Sequence, residues 1–428
     1  MSMRFQHLDE WLTWLDALHP TKMDLGLERV AEVARRLQVT RPAPTVVTVA
    51  GTNGKGSTLK CLESLLCAHG IDVGSTYSPH LHRFNERFAI NGEPVGDDAI
   101  VEAFAEIDEA RGAISLTYFE FGALAALLLF RRAQSTVALL EVGLGGRLDA
   151  VNLCDADVAV ITSVDLDHQA YLGDDRESIG REKAGILRVR IPVVIGEADP
   201  PSSVLRAAAE LQCQIYVQSR DFGFDAREGQ GAWHWWSRGP CGDERIDDLP
   251  RGAISLENAA SALMAFRLLE LEVRLVDLKI RPLAVRTGLA EARMPGRFET
   301  IAGDVPVVLD VAHNPHGARH LASRLRAEPR RRTLGVLGML GDKEPGAVAA
   351  ALDDLVEAWF LAPVEDPRGM AVSELERRVA GAGGRCTSWT SVTEALSQAL
   401  GAAQSGDRVL VCGSFSVVAQ ARDALGRG

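Results

Sequence analysis

The stretch Val46-Val47-Thr48-Val49-Ala50-Gly51-Thr52-Asn53-Gly54-Lys55-Gly56-Ser57-Thr58 limits what this chain can fold into more than any other. Its β-branched run predicts a buried strand and its glycines a tight turn, and Leu59, Leu62, Leu65 and Leu66 share one face of a following helix. Such a turn can cradle an anion. Glycine admits φ > 0, so backbone N–H groups turn inward, and the opening of the helix adds positive dipole. Lys55 is placed to set its ammonium on β/γ-phosphate oxygens, and Ser57 to offer a hydroxyl to Mg²⁺. The strict form G-x-x-x-x-G-K-[ST] is not met, because Gly56 separates Lys55 from Ser57 and Val49 stands where the first glycine belongs. Many glycine-rich strand-to-helix turns are merely turns; the lysine and hydroxyl directly behind this one favour the phosphate-loop reading.

A chain of 428 residues exceeds one compact core and predicts two or three domains. With 46% apolar and 24% charged residues it has the composition of an ordinary soluble globular protein. A net charge of -12 argues against a nucleic-acid partner, since a phosphate backbone needs a basic stripe to release counterions. Any anionic ligand must then be held by local groups such as Lys55. The seven cysteines are scattered and form no C-x-x-C pair, so neither a disulfide framework nor a zinc site is expected. Asp9 and Glu10 interrupt the first apolar residues, which excludes a secretory signal, and no apolar run is long enough for a membrane span. A cytoplasmic monomer without a membrane or nucleic-acid partner is the expectation.

Further along, apolar runs end in chemically equipped residues. Val137 to Val142 reads as a central parallel strand, in which Glu141 is costly without a partner. Val158 to Val164 repeats the pattern and leads into Asp165, Asp167 and His168. In open α/β sheets ligands gather beyond the carboxyl ends of strands. A strand over 71–77 runs into Ser78-Pro79-His80-Leu81-His82-Arg83-Phe84-Asn85-Glu86-Arg87, a polar density that suggests a functional loop. Two residues read two ways. Asp24 is a helix cap or a ligand, and Lys183 is a dipole-complementing lysine at a helix end or a site residue. Asp149, in the loop Gly143-Leu144-Gly145-Gly146-Arg147-Leu148-Asp149-Ala150, is a buried-looking carboxylate. From 205 to 236 a helix, a short strand and a hairpin are expected, with Trp233, Trp235 and Trp236 as packing. Charges and breakers cluster at Ala292-Arg293-Met294-Pro295-Gly296-Arg297, the expected junction. Beyond it strand and helix alternate, implying a second parallel sheet.

The fold class expected is thus α/β: a P-loop-containing ATPase domain with a parallel central sheet (1–292), a linker (293–298) and a smaller Rossmann-like α/β domain (299–428). Seven blocks in order, Met23-Asp24-Leu25-Gly26-Leu27-Glu28-Arg29-Val30, Gly51 to Ser57, Ser78-Pro79-His80-Leu81, Glu141 to Asp149, Glu182-Lys183-Ala184-Gly185-Ile186, Pro295-Gly296-Arg297 and Asp310-Val311-Ala312-His313-Asn314-Pro315, resemble the bacterial bifunctional dihydrofolate synthase/folylpolyglutamate synthases of the Mur ligase superfamily. The irregular phosphate loop is the form used by that family.

What the resemblance implies is an ATP-dependent amide ligase. It would add L-glutamate to 7,8-dihydropteroate and further glutamates to tetrahydrofolate through an acyl phosphate. ATP phosphates would lie on Asn53, Gly54, Lys55, Gly56 and Ser57, and Mg²⁺ on Ser57, Ser78, Glu141 and His168. Asn258, Arg297, Asp310 and His313 would serve the adenine, phosphates and ribose. Catalytic roles fall to Lys55, Lys183 and His313, with Lys183 carbamylated. The dihydropteroate pocket would draw on Met23, Asp24, Leu25, Thr117, Tyr118, Phe119, Glu120, Leu148, Asp149 and Ala150. Its rivals are a monofunctional folylpolyglutamate synthase, another Mur-type ligase and a nucleotide-driven switch without enzymatic output. A ligase for cell-wall nucleotide peptides would need a further domain before the phosphate loop, for which the roughly 45 residues there are too few.

Overall fold

The computed structural model describes residues 4–21, 24–226, 231–238, 243–271, 273 and 278–427. The chain divides into two units, Met1–Ala292 and Arg293–Gly428.

The first unit is built on an eight-stranded sheet of β1 (Thr45–Ala50), β2 (Val73–Thr76), β3 (Phe88–Ile90), β4 (Glu93–Pro94), β5 (Val137–Glu141), β6 (Val158–Ile161), β7 (Pro192–Ile195) and β8 (Gln214–Val217), in the order β4-β3-β2-β5-β1-β6-β7-β8. From β2 to β8 every neighbouring pair is parallel, and only β3, which pairs antiparallel with both β2 and β4, runs against the rest. All residues of β1, β5 and β6 are buried, which is why these segments read as unbroken apolar runs rather than alternating ones. The helix Tyr118–Arg132 is buried over every residue from Glu120 to Phe130. Edge-on aromatic contacts of Phe121 with Trp14 and Phe104 bring the helices Leu8–Leu18 and Asp97–Arg111 onto it.

A three-stranded antiparallel sheet follows, β9 (Phe222–Ala226), β10 (Ala232–Ser237) and β11 (Glu244–Pro250), where the sequence suggests only a hairpin. The third strand escapes notice because Glu244, Arg245, Asp247 and Asp248 leave it no apolar alternation, and a register shift lies between Trp233 and Trp235 on its partner. Trp233 and Trp235 are buried, and their indole N–H groups donate to Pro250 O at 3.0 Å and Ala260 O at 3.2 Å. They are packing residues, as expected.

The second unit carries a six-stranded sheet of β12 (Glu299–Ile301), β13 (Val307–Leu309), β14 (Thr333–Leu337), β15 (Val356–Leu361), β16 (Cys386–Ser388) and β17 (Arg408–Cys412), ordered β12-β13-β17-β14-β15-β16. Five strands are parallel, and β12 is an antiparallel edge strand too short and too polar to be read from its residues. No helix among the described residues is long and apolar enough to cross a membrane.

Candidate functional site

Within the first unit β1 lies between β5 and β6, so the carboxyl ends of all three strands open side by side. Val49 is the register partner of Glu141 on one flank and of Val160 on the other. The phosphate loop, Glu141 and the segment 162–168 therefore converge, although some ninety residues of chain separate the first two.

The loop between β1 and the helix Lys55–Ala68 is held to the exit of β6 by hydroxyl groups from both segments. Thr162 Oγ1 donates to Asn53 O at 2.6 Å, and Thr52 Oγ1 donates to Asp165 O at 3.0 Å. Gly54 caps the helix at φ +84°, and a Cβ there would stand 2.5 Å from Asn258 Oδ1, so both conformation and space demand glycine. Asn258 thus abuts the phosphate loop from the helix Leu256–Leu271. Lys55 Nζ donates to Gly51 O at 3.1 Å, folding the ammonium over its own loop.

Ser57 is buried in the first turn of that helix. Glu141, buried at the end of β5, accepts from Ser78 N–H at 3.0 Å. Ser78 Oγ itself is buried without a hydrogen-bond partner among the described residues. His168 sits at φ +50°, a left-handed conformation uncommon for a side-chain-bearing residue, and its ring is 41% exposed. No group of three or more His, Cys, Asp or Glu residues suited to a metal occurs among the described residues.

Directly before Ser78, the Tyr77 hydroxyl donates to Glu63 Oε2 at 2.9 Å, an oxygen that also meets Lys60 Nζ at 2.5 Å. Glu63 is fully buried. Removing the hydroxyl leaves a buried carboxylate short of a donor, so Tyr77→Phe is expected to lower the unfolding free energy by about 1–3 kcal/mol. Urea titration checks this, and an unchanged midpoint would show that the bond contributes nothing.

Lys183 lies near the end of the helix Arg176–Ala184 and is only 3% exposed, which removes the reading of an ordinary surface lysine. Burial, and then the charge of Lys55, push its amine down to about 7, against the opposing pull of Asp167, Asp149 and Glu197. Glu197, beyond β7, is pushed up to about 7 by burial despite its ion pair with Arg176. Nothing in the sequence around Glu197 marks it. Asp149 is also buried, and burial lifts it to about 6 although its oxygens accept N–H bonds from Gly143, Leu144 and Val151. Those bonds shape the loop 143–151. Arg147 N–H donates to Glu182 O at 2.9 Å and so fastens this loop to the helix of Lys183.

Among the residues expected to bind the pterin, Met23 lies outside the described residues. Asp24 does not cap the next helix, whose N-cap is Leu27; it pairs with Arg29 instead. Leu25 and Leu148 are half-buried, and Ala150 is buried. Thr117 and Glu120 form a reciprocal capping box, with Glu120 N–H donating to Thr117 Oγ1 at 3.2 Å and Thr117 N–H to Glu120 Oε2 at 2.7 Å. Tyr118 and Phe119 are half-buried, and the Phe119 ring is so close to Gly143 that a Cβ there would meet it at 2.6 Å.

In the second unit Asp310 leaves β13 and accepts from Phe298 N–H at 2.8 Å and Ala312 N–H at 2.9 Å. His313 Nδ1 lies 2.9 Å from Val311 O, a carbonyl that can only accept, so Nδ1 carries a proton. The Arg297 guanidinium rests 5.1 Å from the centre of the Phe415 ring, and the His313 ring 6.3 Å from it.

Known proteins match this chain across both units. Two family descriptions apply, Mur ligase middle domain over residues 49–228 and Mur ligase, glutamate ligase domain, over residues 296–415. The dihydrofolate synthase/folylpolyglutamate synthase of Escherichia coli (strain K12) is 45% identical over 419 residues, 98% of this chain and 95% of that protein. The solved structure of E. coli FolC in complex with DHPP and ADP matches with a TM-score of 0.92 at 44% identity, covering 100% of this chain and 99% of the other. A bifunctional folylpolyglutamate synthase/dihydrofolate synthase from Yersinia pestis, complexed with AMPPNP and Mn ion, matches with a TM-score of 0.91 at 43% identity over 100% of both chains. The chain belongs to the dihydrofolate synthase/folylpolyglutamate synthases, a branch of the Mur ligase superfamily.

Proposed function

We propose that this chain is a monomeric ATP-dependent ligase that joins L-glutamate to 7,8-dihydropteroate and adds further glutamates to tetrahydrofolate. The observation that carries the reading is the convergence of the phosphate loop and Glu141 at adjoining strand exits of one sheet, with buried Lys183 close enough to feel the charge of Lys55. A carboxylate is a poor acyl donor. In the reaction a carboxylate oxygen of the pterin acid attacks the γ-phosphorus of ATP and ADP leaves. The amine of glutamate then attacks the acyl carbon, inorganic phosphate departs and the amine loses a proton. Such chemistry needs alignment and charge neutralisation more than covalent help from the protein.

Asn53 to Ser57 hold the phosphates, with Lys55 offsetting the negative charge that repels an anionic nucleophile. Ser57, Ser78 and Glu141 are hard oxygen donors of the kind Mg²⁺ prefers, and the partnerless buried Ser78 Oγ fits a ligand position. His168 is the softer fourth candidate. When bound, Mg²⁺ screens the phosphate charge and polarises the γ-phosphoryl group. Lys183, whose amine is held near neutral, is suited to adding CO₂: a nitrogen–carbon bond forms, a proton leaves, and a carbamate replaces the amine. Asn258, which abuts the phosphate loop within the first unit, serves the nucleotide. Asp24, Leu25, Thr117 to Glu120 and Leu148 to Ala150, with Met23, serve the pterin acid.

The test is ADP release from ATP and glutamate, first with dihydropteroate and then with tetrahydrofolate. Release with both is the expected result. Release with tetrahydrofolate alone would make the protein a monofunctional folylpolyglutamate synthase, and nucleotide turnover indifferent to glutamate would contradict the ligase reading.

A further inference from the structure

We infer that Arg29 is a positioning residue for the pterin-bearing substrate, fastening together the two chain segments, at Asp24 and at Thr117 to Glu120, that are proposed to receive it. The inference rests on that reading of the pocket and adds a residue to it. Arg29 is the second residue of the helix Glu28–Leu37. Its Nη1 meets Asp24 Oδ2 at 2.7 Å, while its Nη2 donates to Asp24 O at 2.9 Å and to Glu120 Oε1 at 3.1 Å. One planar guanidinium thereby grips a backbone carbonyl, an exposed carboxylate and a buried one, across 91 residues of sequence to Glu120.

The two carboxylates are placed differently. Glu120 has a side chain only 4% exposed, and its other oxygen is occupied by the N–H of Thr117. It is a fixed anchor. Asp24 has a side chain 40% exposed, and both of its described contacts, Arg29 and His19 Nε2 at 3.3 Å, fall on Oδ2. Among the described residues Oδ1 is therefore left to accept from a ligand, and a pterin edge presents adjacent N–H donors of the kind a carboxylate receives. Arg29 decides where that oxygen stands relative to the first turn of the helix Tyr118–Arg132. Lysine cannot do the same, because a single ammonium lacks the fork that spans both carboxylates.

The experiment compares wild type with Arg29→Lys, Arg29→Met and Glu120→Gln, measuring direct dihydropteroate binding by fluorescence titration alongside KM for dihydropteroate, ATP and glutamate. Displacing a binding group by about an ångström is enough to raise KM for dihydropteroate on the order of tenfold or more. The expected result is that rise in all three variants, smallest for Glu120→Gln, whose amide oxygen still accepts the Thr117 N–H, with KM for ATP and glutamate within about twofold. Thermal denaturation identifies any variant that fails to fold, and Arg29→Lys, which keeps the charge, then carries the test. A folded Arg29→Lys or Arg29→Met protein that binds dihydropteroate as wild type does would overturn the inference while leaving the ligase reading intact. Equal losses for all three substrates, tracking thermal stability, would also overturn it by showing a merely structural role. Wild type that binds no dihydropteroate would remove the ligase reading and this inference with it.

Discussion

Lys55→Ala is expected to lower glutamate-dependent ADP release by about 10³-fold or more, because a preorganised cation on transferring phosphoryl oxygens acts where charge has to be neutralised for the nucleophile to approach. The fold should survive. Lys55 is half-buried at a helix start, and its bond to Gly51 O is a local one. A stability change within about 0.5 kcal/mol in urea is the companion expectation. The substitution has a second consequence. The charge of Lys55 is, after burial, the largest influence holding the Lys183 amine down, so its removal should move that amine upward and carry the acid limb of any residual activity to higher pH. Turnover within tenfold of wild type would remove the phosphate-loop mechanism.

Lys183→Met is expected to abolish ligase turnover, by about 10²-fold or more, while making the protein more stable near neutral pH. The sign follows from proton binding. A lysine titrates near 10.4 when unfolded, and in the fold Lys183 is pushed down to about 7. Between those values the unfolded chain binds more protons, so stability rises with pH across the window, and the full cost of burying the amine is felt below about pH 7. At about 1.4 kcal/mol per unit the cost reaches roughly 4–5 kcal/mol, part of which methionine recovers by filling the same space without a polar head. Urea midpoints at about pH 6 and about pH 9 should therefore show the stabilising effect of methionine shrinking as pH rises. For wild type, turnover should fall as pH drops through about 7, where protonation denies CO₂ the amine lone pair. ¹³C-labelled CO₂ should give a carbamate resonance in wild type and none in Lys183→Met. A methionine variant that is active, or equally destabilised at both pH values, would refute the assignment.

How much of this could be read from residues alone depends on the range of the interaction. The strand, glycine turn and helix of the phosphate loop are local events, and a β-branched run beside glycines records them directly. Glu141 announced itself as a carboxylate within an apolar run, and β5 does bury it. Lys183 was ambiguous for the opposite reason. Its own helix offers only a dipole to complement, whereas Lys55, Asp149, Asp167 and Glu197, which set its chemistry, arrive from other strand exits. Asp149 looked like a buried carboxylate, but its three backbone donors come from loop geometry that residue types do not encode. Arg29 is hidden in the same way. Its two acid partners lie five and ninety-one residues away, and only the fold brings them to one guanidinium. The polar strand β11 and the three-residue strand β12 are not legible in their own residues, because their pairing partners, not an apolar pattern, make them strands.

The central claim is that the pterin acid is activated by phosphorylation before glutamate arrives. It is tested most directly by supplying dihydropteroate with ¹⁸O in its carboxylate, together with ATP, Mg²⁺ and L-glutamate, and analysing the inorganic phosphate by mass spectrometry. The account predicts transfer of one labelled oxygen to phosphate for each amide bond formed. Amide formation with unlabelled phosphate would contradict it.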